Sequence, residues 1–85
     1  MANQPNQQPT IAIVTGASRG IGPYIVRALS EAGHPVVLTA RDGPALEEQA
    51  RAIRQAGRGA QSVPADITVA AARERIVAAA RAMGP

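Results

Sequence analysis

At 85 residues, 46% of them apolar, with a net charge of +3, the chain has room for one small domain with a core of modest size. It contains no cysteine, which excludes disulfides and thiolate metal sites, and no apolar run approaches the roughly 18 residues of a membrane span. All nine basic residues are arginine, and with Tyr24 as the single aromatic residue there is no stacking platform to accompany a nucleic-acid surface.

In chain order, residues 1–9 are rich in Gln, Asn and Pro and lack the basic start and apolar core of a signal peptide. They read as a disordered polar tail, and a soluble cytoplasmic protein is the expectation. The apolar run Ile11-Ala12-Ile13-Val14 predicts a strand over about 10–15. A helix follows over about 19–32, with Ile21, Ile25, Ala28, Leu29 and Ala32 inward and Gly33 as its C-cap. Val36–Ala40 predicts a second strand. Asp42-Gly43-Pro44 starts a helix to about 56, with Leu46, Ala50 and Ile53 inward and Glu47, Glu48, Arg51 and Arg54 outward. A third, weaker strand covers about 60–64. Thr68 then caps a last helix over about 69–83, with Ala72, Ile76, Ala80 and Met83 inward and Arg73, Arg75 and Arg81 in solvent.

The order βαβαβα, with two strands that read as continuous apolar runs, predicts an α/β fold with a parallel sheet covered on both faces. Right-handed crossovers order the strands 3-2-1, the first half of a doubly wound sheet over residues 10–85. The first strand is then an apolar, uncharged edge, a feature that invites pairing with another chain. Self-association through that strand is the expectation.

The chemistry concentrates in Thr15-Gly16-Ala17-Ser18-Arg19-Gly20-Ile21-Gly22, a glycine loop between a strand and a helix. Gly16 lets the chain turn off the strand, and Gly20 and Gly22 let backbone approach a pyrophosphate and the strand beneath. The helix behind them points free N–H groups and its positive dipole end at an anion. A glycine triple alone is weak evidence, but Thr39-Ala40-Arg41 and Asp66-Ile67-Thr68 close the next two strands at matching positions. Together these three segments resemble the classical branch of the short-chain dehydrogenase/reductase family, over its amino-terminal cofactor-binding third. The resemblance implies a partial, Rossmann-like NAD(P)-binding domain in which Gly16, Gly20 and Gly22 shape the loop and Ser18, Arg19 and Ile21 line the phosphates and the adenosine ribose. Ser18 also suits a helix N-cap, and both roles can hold together.

An NAD site places a carboxylate at the end of the second strand, on the ribose 2′-hydroxyl. Here Ala40 stands there, followed by Arg41, and with Arg19 it could clamp a 2′-phosphate. NADP is therefore expected in preference to NAD, against the alternative that Arg41 is a solvated residue pairing with Asp42. Asp42 turned inward would weaken the preference. The resemblance gives Asp66 and the backbone of Ile67 to the adenine amino group; the alternative is that Asp66 fixes a turn or caps the last helix. Pro23 is tolerated behind the glycines only while its N–H would be unpaired anyway.

Family members reduce carbonyls with a serine and a tyrosine whose pKa is lowered by a lysine four residues on. Tyr24 has Ala28 at that spacing and the chain has no lysine, so no catalytic residue is expected in it. No metal site is expected either, and His34 reads as a loop residue. Three readings follow: the NADP(H)-binding portion of such an oxidoreductase, inactive alone; a small non-catalytic nucleotide-binding module; or a strand-pairing assembly partner.

Overall fold

The strand Val36–Ala40 (β2) organises the molecule. Four of its five residues are buried, which requires neighbours on both edges and cover on both faces. The computed structural model, which describes residues 10–84, supplies both. A strand at Ala12–Thr15 (β1) pairs with one edge of β2 and a strand at Ala60–Pro64 (β3) with the other, both parallel. The register sets Val14 against Leu38 and Thr39 against Val63. The order β1-β2-β3 is the expected 3-2-1 sheet viewed from the other edge.

Helices at Gly22–Glu31 (α1) and Gly43–Gln55 (α2) cover one face, where Val26, Leu46 and Ala50 pack on Val14, Val36 and Leu38. A helix at Ala70–Ala82 (α3) covers the other face, laying Ala72 and Ile76 on Val37 and Val63. Both α1 and α2 end in a glycine turn closed by two backbone bonds, so their last carbonyls are paired. In the first, Gly33 N–H meets Ser30 O at 3.0 Å and His34 N–H meets Leu29 O at 3.0 Å. In the second, Gly57 N–H meets Arg54 O at 2.9 Å and Arg58 N–H meets Ile53 O at 3.1 Å. Gly33 is thus the residue after the cap, and Ala32 is the cap itself.

Three expectations are corrected here. The buried line of α1 runs through Gly22, Val26 and Ser30, while Ile21 and Ile25 face solvent. The cause is steric: Gly22 abuts the backbone of residues 16 and 17, so the sheet-facing line must pass through it at four-residue steps. Secondly, β1 is not covered on both faces. Ile13, on the α3 side, stays 44% exposed, because β1 is an edge among the described residues. Thirdly, Glu47 and Arg54 do not simply face solvent. They pair with each other and clamp α2 to β3, Glu47 accepting from the Ser62 hydroxyl at 2.7 Å and Arg54 donating to Ala60 O at 3.0 Å. Residues 1–9, expected as a tail, lie outside the described residues.

Candidate functional site

Because the strands are parallel, the loops after Thr15, Ala40 and Pro64 emerge along one rim of the sheet, where open α/β sheets bind ligands. Those three loops enclose a cleft of about 430 Å³. The first contributes Gly16, Ser18 and Arg19, and the second, with the end of β2, Thr39, Ala40, Arg41 and Asp42. The third contributes Ala65, Asp66, Ile67 and Thr68.

The first loop takes its shape from two left-handed residues, Gly16 at φ +62° and Gly20 at φ +66°, a conformation that costs a residue with a Cβ about 1–2 kcal/mol. Two bonds hold the loop, one to the sheet and one to α2: Ala17 N–H donates to Thr39 O at 3.2 Å, and the Gln49 side-chain amide donates to Ala17 O at 2.9 Å. A turn closed by Gly22 N–H on Arg19 O, at 3.2 Å, delivers the chain into α1. The helix starts at Gly22, later than expected, so Pro23 falls in its first turn and breaks no hydrogen bond. Its cap is Ile21 and no side chain bonds to it, which removes the capping role considered for Ser18.

In the second loop Asp42 is committed to α2, accepting from Ala45 N–H at 3.2 Å as the N-cap. Arg41 does not pair with it. Arg41 reaches instead across the cleft to Asp66, its Nη2 lying 3.3 Å from Oδ2. With the guanidinium side chain 78% exposed, water screens the pair and it holds the two loops together only weakly.

The third loop orders the carboxylate of Asp66. Its Oδ1 accepts from the Thr68 hydroxyl at 2.6 Å and from Thr68 N–H at 2.9 Å. The Thr68 hydroxyl, then its N–H, and then the Arg41 charge hold the Asp66 carboxyl below the usual carboxylate range. Thr68 therefore does not cap α3, whose cap is Val69 without a side-chain bond. Ile67 stands exposed beside it, its carbonyl accepting from the Arg73 guanidinium at 2.8 Å.

The description "short chain dehydrogenase" fits the chain over residues 10–84. The chain belongs to the short-chain dehydrogenase family. It is 42% identical over 69 residues to the rhamnolipids biosynthesis 3-oxoacyl-[acyl-carrier-protein] reductase of Pseudomonas aeruginosa, covering 81% of this chain and 27% of that protein. It is 43% identical over 63 residues to a fatty acyl-CoA reductase of Acinetobacter baylyi, covering 74% of this chain and 21% of that protein. Among solved structures, a metagenomic short-chain oxidoreductase in complex with NADP superimposes with a TM-score of 0.74 at 42% identity, covering 87% of this chain and 33% of that one. L-Sorbose reductase from Gluconobacter frateurii, complexed with NADPH and L-sorbose, gives 0.79 at 29% identity, covering 87% and 28%. The chain thus spans about a quarter of the length of the curated relatives named here.

In this short-chain dehydrogenase segment the cleft gathers Gly16, Ser18, Arg19, Arg41, Asp66 and Ile67 from the residues singled out in the sequence. Gly20, Ile21 and Gly22 do not line the cleft; Gly20 shapes the loop by its left-handed φ, Gly22 by its contact with residues 16 and 17, and Ile21 caps α1. The turn that the sequence offered as an alternative role for Asp66 is present, its Oδ1 accepting from Thr68 N–H, but the Thr68 hydroxyl as a second donor on that oxygen was missed. Sequence reasoning also missed Thr39, whose buried hydroxyl has no partner, and Gln49, for which no sequence signal exists. Tyr24 is 72% exposed on α1, and His34 sits at the opposite ends of the strands with its ring on Thr10 O, 2.7 Å away. Among the described residues no helix is long and apolar enough to cross a membrane, and no group of acidic, His or Cys side chains could hold a metal ion.

Proposed function

We propose that this segment binds NADP(H) in the cleft, in an oxidoreductase that moves a hydride between the cofactor and a carbonyl or alcohol substrate. The observation that carries the reading is the placement of Arg19 and Arg41 in one cleft with the glycine loop, while Asp42 is engaged in capping α2. The donor set fits a dinucleotide phosphate. Gly16 and Ser18 would present small residues to the pyrophosphate, with the electropositive N-terminal end of α1 behind the loop. Arg41 and Arg19 are the planar cations suited to a 2′-phosphate, and Asp66 is an acceptor for the adenine amino group. An NAD-selective site places a carboxylate on the ribose 2′-hydroxyl at the end of β2, where this chain has Ala40. The bound cofactor would supply the hydride. These residues would hold its adenosine end, and with no lysine and a solvent-facing Tyr24 the 85 residues carry no proton donor of the family type.

The test is the affinity of the chain for NADPH and NADH by isothermal titration. One guanidinium–phosphate contact of about 1.5–3 kcal/mol predicts a preference of at least about tenfold for NADPH, reversed by Arg41→Asp. Equal affinities in the unmutated chain would refute the reading.

The edge strand favours a second role, pairing with another chain through β1. Ile13 on that strand, Ile21 at the cap of α1, and Tyr24 and Ile25 on α1 leave apolar side chains exposed. Sedimentation of the dilute chain is expected to show self-association, and a monodisperse, cooperatively folding monomer would contradict this role.

A further inference from the structure

Asp66 has two carboxylate oxygens with different surroundings. Oδ1 is saturated from its own loop, by the Thr68 hydroxyl at 2.6 Å and the Thr68 N–H at 2.9 Å. Oδ2 faces Arg41 across the cleft and accepts only that exposed, weakly held guanidinium. A carboxylate can accept about four hydrogen bonds, so Oδ2 keeps room for a ligand donor while Oδ1 does not. The backbone N–H alone would leave the group free to rotate about its side-chain torsions, whereas two donors on one oxygen fix both its plane and which oxygen points outward. The corner is stiffened from behind as well, since Val69 N–H closes a turn on Asp66 O at 3.0 Å and Arg73 pins Ile67 O.

We infer that Thr68 is a positioning residue for base recognition: its hydroxyl orients Asp66 so that Oδ2 is presented to the exocyclic amino group of a purine. This rests on the reading that the cleft takes the adenosine end of a dinucleotide. Base selectivity of the segment then depends on a residue that need not touch the base. Arg41 acts as a place-holder on Oδ2, released when a 2′-phosphate attracts it.

The experiment compares NADPH with its hypoxanthine analogue, in which a carbonyl oxygen replaces the amino group. Both are titrated into the unmutated chain, Thr68→Val and Thr68→Ser. The unmutated chain is expected to prefer the adenine form by about tenfold, since an amino donor is exchanged for an acceptor facing a carboxylate. Thr68→Val, of the same shape but without the donor, should bring the ratio close to one while altering binding of the hypoxanthine form little. Thr68→Ser should restore the ratio. If Thr68→Val weakens both ligands equally, unfolds the chain or keeps the full ratio, Thr68 is structural or irrelevant and the inference fails, while the reading of the cleft stands. If the unmutated chain shows no base preference, or binds neither ligand, the reading of the cleft fails and takes the inference with it.

Discussion

Gly22→Ala is the substitution whose effect the geometry fixes most tightly. A Cβ at Gly22 would lie 2.3 Å from Gly16 O, 2.8 Å from Ala17 Cα and 3.0 Å from Ala17 C. All three are backbone atoms, so no side chain can rotate aside. The loop is tied down by the Ala17–Thr39 and Gln49–Ala17 bonds, and it would have to retreat by about 1 Å to reach a normal contact of about 3.5 Å. Overpacking of this kind costs about 3 kcal/mol at its upper range. The better helix propensity of alanine returns about 1 kcal/mol at most, leaving a net loss of about 2 kcal/mol. At about 0.05–0.15 kcal/mol per residue the whole chain is stable by about 4–13 kcal/mol, so the loss is a substantial fraction. Urea denaturation followed by circular dichroism should show a lower midpoint with an unchanged slope, and NADPH affinity should fall because the loop has moved. Gly33→Ala is the control. Gly33 has φ +98° but nothing within 4 Å, so it should lose about 1–2 kcal/mol from backbone strain and keep its affinity. A Gly22→Ala chain with the unmutated midpoint and affinity would refute the close approach of α1 to the loop.

Two further outcomes follow from the same structure. The hydroxyls of Ser30 and Thr39 are buried without a hydrogen-bond partner, so Ser30→Ala and Thr39→Val should each add about 1 kcal/mol of stability, read as a higher urea midpoint, and a drop in either midpoint would show that the hydroxyl has a partner. The Ser62 hydroxyl, with Arg54 and Arg51 adding their charges, holds the Glu47 carboxyl below its usual value of 4.5. A depressed carboxylate contributes stability that is complete above the unfolded pKa and is lost as pH falls through the folded one. Urea midpoints measured from pH 6 to pH 3 should therefore decline less steeply below about pH 4.5 in Glu47→Gln than in the unmutated chain, and parallel curves would dismiss the clamp.

The elements were legible wherever one local rule dominated. Val36–Ala40 reads as a buried strand because it opens on three consecutive large aliphatic residues and carries no charge, and Asp42-Gly43-Pro44 announces a helix start by cap and proline together. The phase of α1 was not legible. Ile21, Ile25, Ala28 and Leu29 form a better apolar stripe than Gly22, Val26 and Ser30, and the weaker stripe prevails because a backbone contact that only glycine permits outranks burial of two isoleucines. For the cleft, the segments at the three strand ends could be read in advance, since parallel strands bring their C-terminal loops to one rim. The pairing of Arg41 with Asp66 rather than with its chain neighbour Asp42 could not be, because it depends on how the second and third loops face each other across the cleft. Glu47 and Arg54 read as solvent-facing by helical phase, yet both flank the edge of α2 nearest β3, within reach of its acceptors and hydroxyl.

The Gln49 amide that grips Ala17 O joins two parts of the chain that βαβ connectivity would treat as successive modules. The glycine loop belongs to the first module by sequence and to the second by attachment. Fraying of α2 near its middle would leave the loop with the Ala17 N–H bond to Thr39 O as its one remaining tie among these two. The molecule is therefore a poor candidate for division at residues 33–35. A fragment ending there would carry all three loop glycines and still lack the side chain that keeps the loop in place.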